Sequence, residues 1–274
     1  MATAEFDGIA GVYDETRRPI DSETLQGLTS MLSAHGCKTI LEVGVGTGRV
    51  SVPLSRSGLD TSGADISRMM MERARSKGMA NLVMSDGGLT PFRDGSFDAV
   101  LLSHVIHIVE DPQGILREGA RVSRIGVFAL LRKREGGSGW FQSFAGDRSG
   151  GSEGPYDGAM EERRELFRRL AEKYHWSPDR SRVRDWGKER RLLENNPPDE
   201  LVQVSDVIDA DTLEERIGRF QKGAYAFMSG MPEGMKEELV ANMRRRASQA
   251  PSHEPRHMVY QVAFWRSKRL LGVP

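Results

Sequence analysis

The stretch Ile40–Leu54, ILEVGVGTGRVSVPL, decides the fold. A short apolar run meets an acid, Glu42, and three glycines follow at alternate positions, Gly44, Gly46 and Gly48. Beyond them the pattern turns helical. A glycine-rich turn between a strand and a helix is a place where backbone can approach a nucleotide closely. A dinucleotide fingerprint, G-x-G-x-x-G, needs glycine at position 49. Arg49 stands there, so the spacing is G-x-G-x-G and a nicotinamide cofactor is the least favoured ligand.

Working outward, the same alternation continues. KTILEVG is a strand and RVSVPLSRSG a helix stopped by Gly58, with Pro53 its weak point. DTSGADIS holds a second strand and RMMMERARSKG a helix. NLVMSD and FDAVLLSHVI read as the third and fourth strands. DPQGILREGARVS is a helix and IGVFALLRK a fifth strand. Strands alternating with helices predict βαβ units, a parallel sheet and helices on both its faces. Upstream, Phe6, Ile9 and Tyr13 recur at helical spacing, and DSETLQGLTSMLSAHG carries a helix cap, an apolar face and a closing Gly36.

After Arg134 the texture changes. EGGSGWFQSFAGDRSGGSEGPYDG is rich in glycine and serine, yet carries Trp140, Phe141 and Phe144. A helix over residues 158–176 is followed by SPDRSRVRDWGKERRLLENNPPDE, read as irregular, charged and locally basic. LVQVSDVI is a strand, two helical stretches follow, and HMVYQVAFWRSK alternates as the last strand. The expected organisation is a helical lid over 1–36, a ligand-binding core over 37–134, an inserted cap over 135–200 and completion of the sheet over 201–274.

The 274 residues balance 39 Lys and Arg against 39 Asp and Glu, which excludes a general field for polyanions. The single cysteine, Cys37, excludes an intramolecular disulfide and a cysteine metal cluster. The N-terminal stretch is acidic and polar rather than basic then apolar, and no apolar run reaches membrane length, so a cytoplasmic protein is expected.

Glu42 followed by G-x-G-x-G resembles motif I of the class I S-adenosylmethionine-dependent methyltransferases. The segment LTPFRDGSFDAV resembles the small-molecule branch that includes the ubiquinone and menaquinone C-methyltransferases, with Thr90 inserted into the usual leucine–proline pair and expected to shift the loop slightly. EFDGIAGVYDETRRP is similar to that branch's N-terminal lid. The resemblance covers residues 5–133 and says much less about the remainder. It implies a Rossmann-like, mostly parallel seven-stranded sheet with an antiparallel last strand. It also implies S-adenosylmethionine as cofactor, S-adenosylhomocysteine as product and a small-molecule methyl acceptor as partner.

The physical reading fits. The cofactor carries an amino acid tail and a cationic sulfonium but no phosphate. Glycines admit its tail, and Glu42 can meet the ammonium directly or through water. Asp65, ending the second strand, can accept both ribose hydroxyls, while Ser67 serves as the alternative helix cap. Asp86, ending the third strand, can accept the adenine amino group, with Ile66, Leu89 and Met70 flanking the ring. Tyr13 and Arg17 are expected to close over the cofactor, and Gly87 and Ser103 complete the binding set the resemblance implies.

Methyl transfer from a sulfonium is an in-line displacement. It needs alignment and exclusion of water, and a base only where the acceptor keeps a proton of high pKa. His104 and His107, after the fourth strand, are the candidate catalytic residues, His104 first. Their alternative role is to contact the cofactor or cap the next helix, and no metal-ligand set accompanies them. Trp140, Phe141, Phe144, Trp176 and Trp186 could line an acceptor pocket or merely pack the insertion. Two other readings compete: a tRNA-modifying methyltransferase, against which the chain lacks an aromatic–basic RNA signature, and a cofactor-binding protein without catalysis.

Overall fold

Three helical segments precede the sheet in the computed structural model, which describes residues 2–133, 158–177, 187–209, 212–222, 228, 230–247 and 256–273. They are α1 (Ala2–Ile9), α2 (Tyr13–Thr16) and α3 (Ser22–Ala34). The helical spacing of Phe6, Ile9 and Tyr13 is thus interrupted by a turn between α1 and α2. Asp21 caps α3, its carboxylate accepting the Thr24 N–H at 2.7 Å. Gly36 leaves that helix with φ +74°.

The alternating core follows as β1 (Thr39–Val43), α4 (Ser51–Arg56), β2 (Asp60–Asp65), α5 (Arg68–Ser76), β3 (Leu82–Met84), β4 (Phe97–Ser103), α6 (Pro112–Val122) and β5 (Ser123–Lys133). Pro53 does not break α4, because it lies in the first turn where its missing N–H has no intrahelical partner to lose. Beyond come α7 (Gly158–Lys173), α8 (Gly187–Asn195), β6 (Glu200–Asp209), α9 (Leu213–Gln221), α10 (Glu233–Ala247), β7 (Arg256–Arg266) and α11 (Ser267–Leu270). The order across the seven-stranded sheet is β3-β2-β1-β4-β5-β7-β6. β1 to β5 pair in parallel, and β7 runs antiparallel to β5, with Phe128 opposite Phe264. This is the mostly parallel, Rossmann-like sheet with antiparallel closure that the alternation and the resemblance predict.

The described residues fall into two compact units. The first draws on Met1–Arg134, Gly187–Val207 and Met258–Pro274, the second on Glu135–Trp186 and Ile208–His257. In the first, the sheet has two apolar faces. One buries Leu41, Val100, Val127 and Trp265 with Ile115 and Leu116 of α6 and Leu192 of α8. The other buries Ile40, Leu101, Phe128 and Phe264 with Leu28 and Leu32 of α3 and Leu54 of α4. In the second unit, Phe167, Leu170, Ile217, Phe220 and a run of methionines from Met228 to Met243 make a separate core.

The helix α8 corrects the reading of residues 177–200 as irregular. Its segment GKERRLLEN has few apolar positions, and Leu192 earns its burial only against the sheet. Thr90, inserted relative to the resembling pattern, is accommodated by α6. Its N–H and hydroxyl both donate to Glu118 Oε1, at 2.7 and 2.6 Å, and Arg121 bridges Glu118 to Asp94. Those bonds hold the Glu118 carboxyl down near 2 against the opposing effect of burial.

Candidate functional site

The parallel strands end on one edge of the sheet, and β1 and β4, neighbours in space, lead their connections to opposite sides. That topological switch is where open α/β sheets bind ligands. Gly44, Gly46 and Gly48 leave β1 there with φ of +75°, +54° and +75°. Gly44 and Val45 donate their N–H groups to the Ala64 carbonyl, which ties the turn to β2. A Cβ on Gly44 would run into Val105 at 2.7 Å, whereas one on Gly46 would meet nothing within 4 Å. Gly46 therefore presents open backbone, and Gly44 permits a close approach of two loops.

Three acids stand around this turn. Glu42 is buried, and its Oε2 accepts the Ser51 N–H at 3.0 Å together with the Ser51 hydroxyl. Burial pushes its carboxyl up to about 8, against the Ser51 bonds and the Arg49 charge, which favour ionisation. Asp65, at the end of β2, accepts the Gly46 N–H on Oδ2 at 2.7 Å and the Ser67 N–H on Oδ1 at 2.8 Å. Burial raises its pKa, opposed by these backbone donors. Ser67 is the cap of α5, accepting the Met70 N–H, so cap and strand-end carboxylate are different residues. Asp86 is exposed beyond β3 and accepts the Gly88 N–H at 2.7 Å. The Ser85 N–H donates to the Asp65 carbonyl, which brings the two strand ends side by side.

Of the expected ring-flanking residues, Ile66 is half-buried and Leu89 is 79% exposed, while Met70 lies inside at 2%. Gly87 lies against Val43 and Ile115 with no room for a Cβ. Ser85 Oγ and Ser103 Oγ are buried on this edge without a hydrogen-bond partner, as is Arg49 Nε. His104, next after Ser103, has φ +55°, and its ring lies 6.0 Å from that of Tyr260 on β7. His107 is 2% exposed, with Nδ1 at 3.1 Å from Glu189 of α8. In this structure its ring faces the interior, and His104 is the histidine near the surface.

The N-terminal segment is fastened to the turn. Tyr13 is half-buried, with the Arg17 guanidinium 5.0 Å from its ring centre. Asp14 accepts the Thr47 hydroxyl at 2.6 Å and pairs at 2.6 Å with Lys77, the residue that follows α5, and Lys77 also donates to the Thr47 carbonyl. Asp7 accepts the Ser67 hydroxyl and the Met69 N–H. Arg49 donates to the Arg18 carbonyl. Sequence reading missed Asp7, Thr47, Lys77, Tyr260 and Glu189. Asp14 lay inside the quoted YDETRRP segment, but nothing local marked Lys77 or Glu189.

Trp176 packs edge to face on Phe167, 5.9 Å between ring centres, in the core of the second unit. Trp140, Phe141, Phe144, Trp186 and the glycine- and serine-rich stretch 135–157 lie outside the described residues. Among the described residues, no helix is long and apolar enough to cross a membrane, and no cluster of three or more His, Cys, Asp or Glu is placed to hold a metal. Burial, with the nearby Asp98 charge adding to it, pushes the Cys37 thiol up to about 12.

Comparison with known proteins bears on the same region. Residues 41–131 match the family model of a methyltransferase domain. A demethylmenaquinone methyltransferase of Tropheryma whipplei is 33% identical over 129 residues, covering 44% of this chain and 54% of that one. The chain thus spans about half the length of the curated relative it matches. Among solved structures, a protein of Thermotoga maritima described as an S-adenosylmethionine-dependent methyltransferase and possible histamine N-methyltransferase superposes with a TM-score of 0.50. It is 17% identical, with 97% of this chain and 99% of that one covered. The [4+2]-cyclase SpnF superposes at 0.53 and 14% identity, covering 97% and 95%. At such identities the two structures share the fold.

Proposed function

We propose, from the match of residues 41–131 to a methyltransferase domain and the likeness to a demethylmenaquinone methyltransferase, that the protein transfers a methyl group from S-adenosylmethionine to a small-molecule acceptor in the cytoplasm. One observation carries the reading: the Asp65 carboxylate accepts the N–H of Gly46, where an added Cβ would meet nothing within 4 Å, so the strand-end acid and the glycine turn are one hydrogen-bonded unit. The fit to a methionine nucleoside rests on that donor set. Gly44, Gly46 and Glu42 take the amino acid tail, and Asp65 takes the ribose hydroxyls. Asp86 takes the adenine amino group, with Ile66, Leu89, Gly87 and the layer over Met70 around the ring. The buried, unpartnered hydroxyls of Ser85 and Ser103 support a polar ligand on this edge, since such groups are costly when left unsatisfied. Tyr13 and Arg17 belong to the cover.

Bound there, the cofactor supplies an electrophilic methyl group on a good leaving group. The chain's part is to hold it, align the acceptor and exclude water. His104 is the residue proposed to face the acceptor and to take its proton where one must leave. The fold alone does not decide for methyl transfer, because a cyclase shares it. The acceptor of the Tropheryma relative stays with that protein, because the aligned stretch is the cofactor half.

Calorimetric titration tests the cofactor. Both S-adenosylmethionine and S-adenosylhomocysteine should bind and NAD should not; the reverse pattern overturns the reading. Mass spectrometry of mixtures with methyl-labelled cofactor and panels of quinols, phenols and amines then identifies the acceptor. Product formed on none of them, with cofactor bound, would favour a binding protein without catalysis.

A further inference from the structure

The connection between β4 and α6 begins at the site and is held at its other end by α8. Ser103 ends β4, and His104 follows in the left-handed region at φ +55°, a conformation that a non-glycine residue keeps only where its surroundings over-determine it. The next residues form one tight turn, with the Ile108 and Val109 N–H groups donating to the Val105 carbonyl at 3.0 and 3.3 Å. Val105 packs flush against Gly44 of the cofactor turn. On the far side, His107 Nδ1 meets Glu189 Oε1 at 3.1 Å, with side-chain exposures of 2% and 12%. The neighbouring Lys188 donates to the Val109 carbonyl at 2.5 Å. The first turn of α8 therefore grips the 103–109 turn at two points.

We propose that Glu189 is a positioning residue for the methyl transfer: acting through His107, it fixes the turn that sets Ser103 and His104 at the reacting edge. The proposal rests on the function proposed above. A buried imidazole needs a partner for its ring N–H, and a carboxylate is the strongest acceptor for it. That partner comes from a helix 82 residues further along the chain, so the turn's geometry is set by tertiary packing and not by its own sequence. His107 thereby acts on the turn and not on the acceptor, and the two histidines of LLSHVIHIVEDP divide between holding and facing.

The experiment follows the His104 ring by NMR of histidine-labelled protein and the Ser103–Val109 amides by hydrogen exchange, in wild type, Glu189→Ala and Glu189→Gln. In folded Glu189→Ala, the His104 signal should move and the turn's amides should exchange about tenfold faster, as expected for loss of one buried charge-assisted bond. Glu189→Gln keeps an acceptor oxygen and should restore most of both. Where an acceptor is in hand, kcat should fall more than the KM for cofactor rises. A merely structural pair would lower the melting temperature but leave the His104 signal and the turn's relative exchange as in wild type, and that result overturns the proposal. Should Glu189→Ala fail to fold, His107→Leu fills the space without the bond and goes through the same measurements with the same expectation. Neither signal requires a ligand, so failure of wild type to bind S-adenosylhomocysteine would strike the proposed function while leaving this outcome readable.

Discussion

Asp65 Oδ2 accepts the N–H of Gly46 at 2.7 Å, across 19 residues of chain and the whole of the first crossover. The acid expected to bind ribose and the glycine expected to admit the tail are thereby one hydrogen-bonded unit. Asp65→Ala should weaken cofactor binding by about 1.5–3 kcal/mol, the range for hydrogen bonds to a charged group. Calorimetry reads that loss directly. A variant whose main defect is a lower melting temperature without cofactor would make Asp65 a brace for the turn and nothing more.

Glu42 predicts a pH dependence with a definite sign. Its carboxyl sits near 8 in the folded protein against 4.5 for an unperturbed glutamate. Between those values the folded state holds a proton that the unfolded state has lost, so stability falls as pH rises. The contribution is complete below about 4.5 and gone above about 8. Urea unfolding at pH 5 and pH 8 should show a larger drop for wild type than for Glu42→Gln, by a few kcal/mol at most, from about 1.4 kcal/mol per pH unit. An equal drop in both proteins would mean that Glu42 ionises normally.

The same carboxyl links binding to protons. If the cofactor's ammonium comes to Glu42, it draws the pKa down, and a proton leaves on binding near pH 7. Titrations in two buffers of different ionisation enthalpy should then give different apparent heats for wild type and matching heats for Glu42→Gln. Matching heats in wild type would place the ammonium elsewhere.

Asp14 fastens the N-terminal segment to Thr47 and Lys77. The Asp14 and Lys77 side chains are each about one-third exposed, so the pair is partly screened. Asp14→Asn should speed release of S-adenosylhomocysteine by a factor of up to about five, equivalent to about 1 kcal/mol. Stopped-flow displacement measures it, and hydrogen exchange around Tyr13 should rise in parallel. An unchanged release rate would leave α2 as packing and not as a cover.

Gly44 and Gly46 should fail differently. Gly44→Ala adds a methyl against Val105 at positive φ and should destabilise the fold by about 2 kcal/mol or more. Gly46→Ala has space and should cost only about 1–2 kcal/mol of backbone conformation while losing much more in cofactor affinity. Thermal denaturation alongside calorimetry separates the two. Equal losses of stability with equal affinities would remove the distinction between a packing glycine and a binding glycine.

Local chemistry made most of the sheet readable. Asp21, Ser67 and Asp111 cap α3, α5 and α6 within three residues of themselves, and period-two or buried runs mark β1 to β5. The glycine turn, the acid at the end of β2 and the acid just beyond β3 were visible for the same reason: turn chemistry and strand ends are short-range properties. Helix α8 was not readable, because a segment with few apolar residues is stabilised by the surface that Leu192 meets and not by its own periodicity.

By itself, then, the sequence determined the alternating parallel sheet, the kind of loop that opens it and the acids that surround that loop, since each is written in neighbours a few residues apart. The tertiary structure alone decided which side chains those acids and histidines hold. It turned His107 inward to Glu189 and left His104 near the surface, and it bound Asp14 to Lys77 and Asp7 to Ser67 over 60 residues or more. The physical reason is that a hydrogen bond between distant side chains depends on where two backbones are brought by burial of apolar surface, and no local pattern carries that distance.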